Sequence, residues 1–277
     1  MCRDGVARMR ADARLAWERL APGDAARAFA RLLEGISHLV DGDADRADPI
    51  LAHALELFTY LGGMPGASTA TATRALVAIW RQDWDAAGTL SRRALEILRD
   101  GHLDDYIMSP LVHAVAGRRA LHRGDVAGAR EHLARAARLR PLLTSAAPHI
   151  AVQTLLELAR AYLTLGDAAG ARTVLRQAQD ILQLRPDLGI LPSQAEELRE
   201  RLAVVRGGTV GPSSLTTVEL RLLPFLSTYL GYREIGERLH VSRHTVKSQA
   251  MSIYRKLGVF SRDEAMTRLQ ELGMLGS

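Results

Sequence analysis

Between about Arg10 and Arg206 apolar residues recur every three or four positions with few runs of β-branched residues, a pattern that predicts helices throughout. The pattern also repeats. Four short turns, Gly42-Asp43, Gln82-Asp83, Gly124-Asp125 and Gly166-Asp167, place their aspartates 40, 42 and 42 residues apart. Four residues after each aspartate stands an alanine (Ala47, Ala87, Ala129, Ala171), and eleven after it stands another (Ala54, Ala94, Ala136, Ala178). Eight before it the residue is small (Gly35, Ala75, Gly117, Ala159), and four before it is a large aliphatic (Leu39, Ile79, Leu121, Leu163). Small residues let two antiparallel helices approach closely, the aliphatic fills the space beside them, and the aspartate caps the helix after the turn. Each unit therefore reads as a helical hairpin, and such hairpins stack because one alone cannot bury its apolar face. Loops at Gly62–Gly66, Asp100–His102, Arg140-Pro141 and Arg185–Asp187 separate them. A last helix from Ser193 to about Val205, opened by a capping box of Ser193 and Glu196, is expected to close the array.

The glycine- and serine-containing stretch that follows marks a boundary. The expected organisation is a helical-repeat domain over residues 1–206, a flexible linker over 207–214 that leaves the two sides free to reorient, and a second domain over 215–277. The second domain opens with a capping box, Thr216 and Glu219, flanked by Leu215 and Leu220 as a hydrophobic staple, and its last helix opens similarly with Ser261 and Glu264. Between them, Tyr232–Leu239 reads as a short amphipathic helix with Ile235 and Leu239 inward. His240-Val241-Ser242 then reads as a tight turn with Val241 as an apolar plug and Ser242 as the next cap. From Thr245 to Val259, Val246, Ala250, Ile253 and Leu257 form one stripe, while His244, Lys247, Ser248, Met251 and Arg255 lie opposite. One face packs and the other is free to touch something, which is the design of a helix-turn-helix.

Composition narrows the chemistry. A 47% apolar content with only 5% aromatics requires a core of Leu, Ala and Val. The net charge is +5; from Pro212 onward nine Arg and Lys face six Asp and Glu, so +3 of it lies in the last quarter, as a polyanion partner would require. Lys247 and Lys256 are the only lysines, which excludes a P-loop with its Gly-Lys pair and a phospho-receiver domain with its lysine and alternating strands. Cys2 is the single cysteine, so no internal disulfide is expected, and the chain has neither an apolar signal core nor a run long enough to span a membrane. A cytoplasmic protein is expected. His102, His113, His122, His132 and His149 show no helical zinc spacing, and Asp104-Asp105 and Glu196-Glu197 are not arranged for paired-carboxylate chemistry. No enzyme, cofactor or metal is expected. Trp80, Trp84 and Tyr162 sit beside the hairpin turns; packing is their expected use, although the inner groove of such an array also suits a peptide or small-molecule effector.

The residues LT at 215–216, E at 219, EIG at 234–236, VS at 241–242, TVK at 245–247, KLGV at 256–259, Arg262 and EA at 264–265 resemble the LuxR-type, or GerE-type, DNA-binding domain of bacterial transcription regulators. The repeats resemble tetratricopeptide repeats of longer period, as in large regulators of the maltose-activator kind. The expected fold is thus all-α, a tetratricopeptide-like solenoid of helical hairpins followed by a four-helix LuxR-type domain. The resemblance implies a transcription regulator whose repeat domain senses an effector or protein partner and whose partner is double-stranded DNA. In it Lys247 takes the groove-facing position, with Ser248 and Met251 beside it on the same stripe. Arg243, His244, Thr245 and Arg255 suit phosphate contacts. The last helix is the family's pairing element, which makes Met266 and Gln270 the candidate surface of a homodimer on DNA. Two residues depart from the family pattern: Pro224 lies inside the first helix, where it should kink or shorten it, and Tyr229 stands where glycine is usual. They favour the alternative reading, a protein-interaction scaffold with a degenerate DNA-binding module.

Overall fold

The structure is a computed structural model that describes residues 5–204 and 212–275, all of whose regular elements are helices. Cys2 and most of the expected linker lie outside the described residues. After α1 (Gly5–Arg19) come four hairpins: α2 (Ala25–Val40) with α3 (Ala44–Leu61), α4 (Met64–Trp80) with α5 (Trp84–Asp100), α6 (Ser109–His122) with α7 (Val126–Arg138), and α8 (Pro148–Thr164) with α9 (Ala168–Leu184). The helix α10 (Leu191–Val204) follows.

Each hairpin is built as its sequence pattern requires. The carboxylates of Asp43, Asp83, Asp125 and Asp167 accept the N–H of Arg46, Ala86, Gly128 and Gly170 at 3.1, 3.0, 2.8 and 2.8 Å. All eight alanines at the two fixed offsets are 0% exposed. The reason is space: a Cβ on Gly35, at the neighbouring small position, would stand 2.7 Å from Leu51 Cγ. Leu39 and Ile79 are buried, and Leu121 and Leu163 pack half-buried against the same core. The residue before each aspartate is left-handed, with φ of 86° at Gly42, 61° at Gln82, 75° at Gly124 and 72° at Gly166. Only the second turn asks a side chain to adopt that conformation.

The even-numbered helices α2 to α10 stack on one another as an inner layer, with α3, α5, α7 and α9 outside. Along α4 and α8 burial continues around nearly the whole helix, so these stretches of the inner face are filled core and not an open groove. Their polarity is absorbed locally: the hydroxyls of Thr69, Thr71, Thr73 and Thr154 donate to the carbonyls four residues back at 2.7–2.9 Å. The array also closes on itself, since Val6 N–H donates to Asp187 O at 3.1 Å and Ile190 N–H to Val40 O at 2.9 Å. Two local expectations are corrected. Ser193 does not cap α10, which begins at Leu191; its hydroxyl donates back to Ile190 O at 2.8 Å, and Pro192 occupies the first turn, where a missing N–H is harmless. Gly66 belongs to α4 and not to the loop before it, because α4 starts at Met64 with Pro65 in its first turn.

The C-terminal half has its own core. A 3₁₀ turn (Pro212–Ser214) leads into α11 (Thr217–Leu226), α12 (Tyr232–Leu239), α13 (Arg243–Leu257) and α14 (Arg262–Glu271). The capping box of α11 forms, with Glu219 N–H on Thr216 Oγ1 at 3.3 Å and Thr216 N–H on Glu219 Oε2 at 2.7 Å. Leu215 and Leu220 flank it, both buried. At α14 the Ser261 hydroxyl accepts Glu264 N–H at 3.2 Å, but the Glu264 carboxylate takes the N–H of Phe260, one residue earlier than a strict box. Pro224 stands in the last turn of α11, which ends two residues later. The loop beyond is pinned by Arg262, whose guanidinium donates to the carbonyls of Phe225, Leu226, Thr228 and Leu230 at 2.6–3.0 Å; Tyr229 projects fully into solvent. Lys256 joins the start of α11 to the end of α13: its ammonium donates to Glu219 Oε2 at 2.6 Å and to Ser214 O at 2.9 Å. Burial pushes the Glu219 carboxyl up, but hydrogen bonds from Lys256, the Thr216 backbone and Ser252 outweigh it and hold the group below its usual value of 4.5.

The two halves are in contact, which a freely oriented pair of domains does not anticipate. Arg140, in the 3₁₀ turn Arg140–Leu142 after α7, is 1% exposed and donates to Leu215 O at 2.9 Å and to Gln177 Oε1 at 3.1 Å. Ser213 hydrogen-bonds to Asp167, and Ala134 and Ala137 of α7 join the C-terminal core. None of the described helices is long and apolar enough to cross a membrane.

Gln82→Gly relieves a left-handed side chain and should stabilise the chain by up to about 1 kcal/mol, whereas Gly124→Ala should cost about that much; thermal melts showing the opposite signs would contradict the turn geometry. Lys256→Met leaves the Glu219 carboxylate buried and unpaired, and should weaken local stability of α11 and α13 by about 3 kcal/mol. Because the Glu219 pKa is lowered on folding, its contribution is full above 4.5 and is lost as pH falls through the lower folded value. Amide exchange of α11 and α13, corrected for intrinsic rate, should therefore show the gap between Lys256→Met and the parent closing in acid.

Candidate nucleic-acid interface

The site is a helix held by one side so that the other stays free. Its approach is set by a backbone crossing: His240 is left-handed at φ 54°, Val241 N–H donates to Gly236 O at 2.9 Å, and a Cβ on Gly236 would lie 2.6 Å from Val241 O. Only glycine permits α12 and the turn to come this close. Val241 is 38% exposed, so it is not the apolar plug expected from the sequence; the peptide lying over Gly236 closes the turn instead. Ser242 then caps α13, its hydroxyl accepting Thr245 N–H at 3.0 Å.

On the inner side of α13, Val246, Ala250 and Ile253 are 0% exposed and Leu257 8%, the stripe read from the sequence. Tyr254 is also buried, its hydroxyl 3.2 Å from that of Tyr232 on α12, and burial pushes its ionisation upward. On the outer side Arg243, His244, Lys247, Ser248, Met251 and Arg255 are all exposed with the whole chain present, so the repeat array does not cover this face. Thr245 is half-buried, its hydroxyl 2.8 Å from that of Ser242. Arg243, Lys247 and Arg255 enter no salt bridge among the described residues. Lys256, in contrast, is spent inside the domain. The two lysines are nine residues apart, which at 100° per residue turns them to opposite sides of one helix; the spacing already held that information.

Chemically, the outer face offers three unpaired cations, a hydroxyl and one apolar side chain over about 18 Å of helix. No cluster of three or more His, Cys, Asp or Glu able to hold a metal ion occurs among the described residues. On α14, Gln270 is exposed, while Met266 is half-buried against its own domain. In the repeats Trp80 and Trp84 are half-buried, and Trp84 stacks on His122 at 3.9 Å and 4°. His113 and His132 meet at 3.4 Å between their Nδ1 atoms, and burial lowers both pKa values, that of His113 to about 3. Tyr162 is buried beside the C-terminal half, with its pKa pushed up to about 12 by burial.

Residues 213–269 match the family model described as bacterial regulatory proteins, luxR family, of the GerE type. The chain is also similar to the transcriptional regulatory protein YdfI of Bacillus subtilis (strain 168), 39% identical over 92 residues that make up 33% of this chain and 40% of that relative. The chain thus aligns with less than half the length of the curated relative it matches. The helix pair α12 and α13, its glycine crossing and its serine cap lie within the matched residues, and the segment 213–269 is a luxR-family helix-turn-helix domain.

Proposed function

We propose that this protein is a bacterial transcription regulator that binds double-stranded DNA by seating α13 in the major groove, under the control of its helical-repeat domain. The observation that carries this reading is the set of unpaired, exposed cations on a helix whose opposite face is buried. A major groove of about 12 Å admits a helix presented in this way. Lys247, Ser248 and Met251 read base edges, Met251 through apolar contact with a thymine methyl, while Arg243, His244, Thr245 and Arg255 hold the flanking phosphates. The repeat domain receives an effector or protein partner, and the protein works in the cytoplasm without enzymatic activity. The two departures from the family pattern do not disable the module, since Pro224 falls in the final turn of α11 and Arg262 holds the following loop.

One recognition helix reads too few base pairs to find a site in a genome, so two copies pair on DNA across the free flank of α14. Lys247→Ala should weaken binding to the selected site by about 1–3 kcal/mol and relax preference at one base position, whereas Arg243→Ala should weaken all duplexes alike. Equal, sequence-independent losses in a competition assay would show the reading face to be misplaced. Charge placed on the pairing flank, as Met266→Glu or, at the more exposed position, Gln270→Glu, should abolish binding to a palindrome and spare an isolated half-site. Normal palindrome binding by both variants would move the pairing surface to the repeats.

A further inference from the structure

The contact between the two halves is not closed along its whole length. Beside the Arg140 junction lies a cavity of about 310 Å³, walled on the repeat side by Leu133 and Leu165 and on the other by Leu272 and Met274, which follow α14. Arg130 of α7 and Arg268 of α14 line the same space from opposite sides. Arg130 is exposed and enters no ion pair among the described residues, while Arg268 meets only Glu271, one turn along its own helix, at 2.8 Å. The carboxylate lining the cavity, Asp167, is already engaged by Gly170 N–H and Ser213. Tyr162, also in the wall, is fully buried and feels the positive charge of Arg140 behind it. Apolar walls and a cationic rim from both halves, two guanidinium charges against the one carboxylate of Asp167, specify the ligand's chemistry. The volume is at the lower end of the range for small-molecule sites.

We propose that this cavity binds a small amphipathic anion, an apolar or aromatic body carrying one carboxylate or sulfonate, and that the bound molecule bridges the repeat array and the DNA-binding domain. The anionic group lies between Arg130 and Arg268 and the apolar body against the four aliphatic walls. This places the effector of the proposed function, and rests on that reading for its role, but the binding itself is independent of DNA. Because both halves contribute walls, occupancy favours the docked arrangement over any other.

The test uses the intact chain and two fluorescent probes with the same rings, anilinonaphthalene sulfonate, which is charged, and N-phenylnaphthylamine, which is not. The sulfonate should bind one saturable site at least tenfold more tightly than the neutral amine. The double variant Arg130→Glu with Arg268→Glu should remove that advantage while leaving neutral-probe binding and the circular dichroism spectrum as they were. Equal affinity of the two probes, an unchanged sulfonate affinity in the double variant, or uptake at many unsaturable sites would each overturn the proposal. Duplex binding measured on the same samples separates the two readings. A parent chain that binds DNA but has no saturable sulfonate site sinks the cavity alone, and a parent chain with a saturable sulfonate site that binds no DNA sinks the proposed function alone.

Discussion

A buried guanidinium joins the two halves of this chain. Arg140 is withdrawn from solvent with no carboxylate in contact among the described residues, and its charge is answered by one backbone carbonyl of the C-terminal half and one side-chain amide of α9. Gln177 in turn donates its own N–H groups to the carbonyls of Arg140 and Leu143 at 3.1 and 3.2 Å, so the amide that receives the arginine also fixes the loop that carries it. A buried cation stripped of such a partner is penalised by several kcal/mol. Undocking would expose Arg140 or strand it, and the relative placement of the halves, the cavity between them and the free presentation of α13 all depend on this contact.

The repeats were legible because their geometry is set by exclusion. Where two helices touch, nothing larger than alanine fits, so the alanines at both offsets had to recur, and the caps recur because each helix start needs an acceptor for its free N–H groups. The inner stripe of α13 and the caps at Thr216 and Ser242 were legible for the same local reasons. What escaped were interactions whose partner is backbone or is distant in sequence. Arg140 looked like one more residue before a helix-ending proline because its acceptor is a carbonyl 75 residues away. Val241 looked like a plug because an apolar residue in a tight turn usually is one; the glycine at 236 was the signal that backbone would take its place. The filled inner face of α4 was hidden by its threonines, which read as polar but satisfy themselves on their own helix.

These features divide the labour between two kinds of positive charge. Arg140, Lys256 and Arg262 are turned inward onto carbonyls and one carboxylate, where they fix the domain, its loops and its docking. Arg243, Lys247 and Arg255 are turned outward and have no ion-pair partner among the described residues, the state in which phosphate contacts add most to affinity because no internal ion pair must be broken first. The repeat array meets the helix-turn-helix domain at the 3₁₀ turn Pro212–Ser214 and at α11, away from α13, so the outer face of α13 stays open.

The most direct test of this account is selection of binding sites from a random duplex library by the intact chain, followed by affinity measurement on the enriched sequence over a range of salt. The account predicts a short motif repeated about a two-fold axis, and an affinity that falls steeply with salt, with several phosphates neutralised per bound dimer. A library that emerges unenriched, or binding that is indifferent to salt, would contradict it.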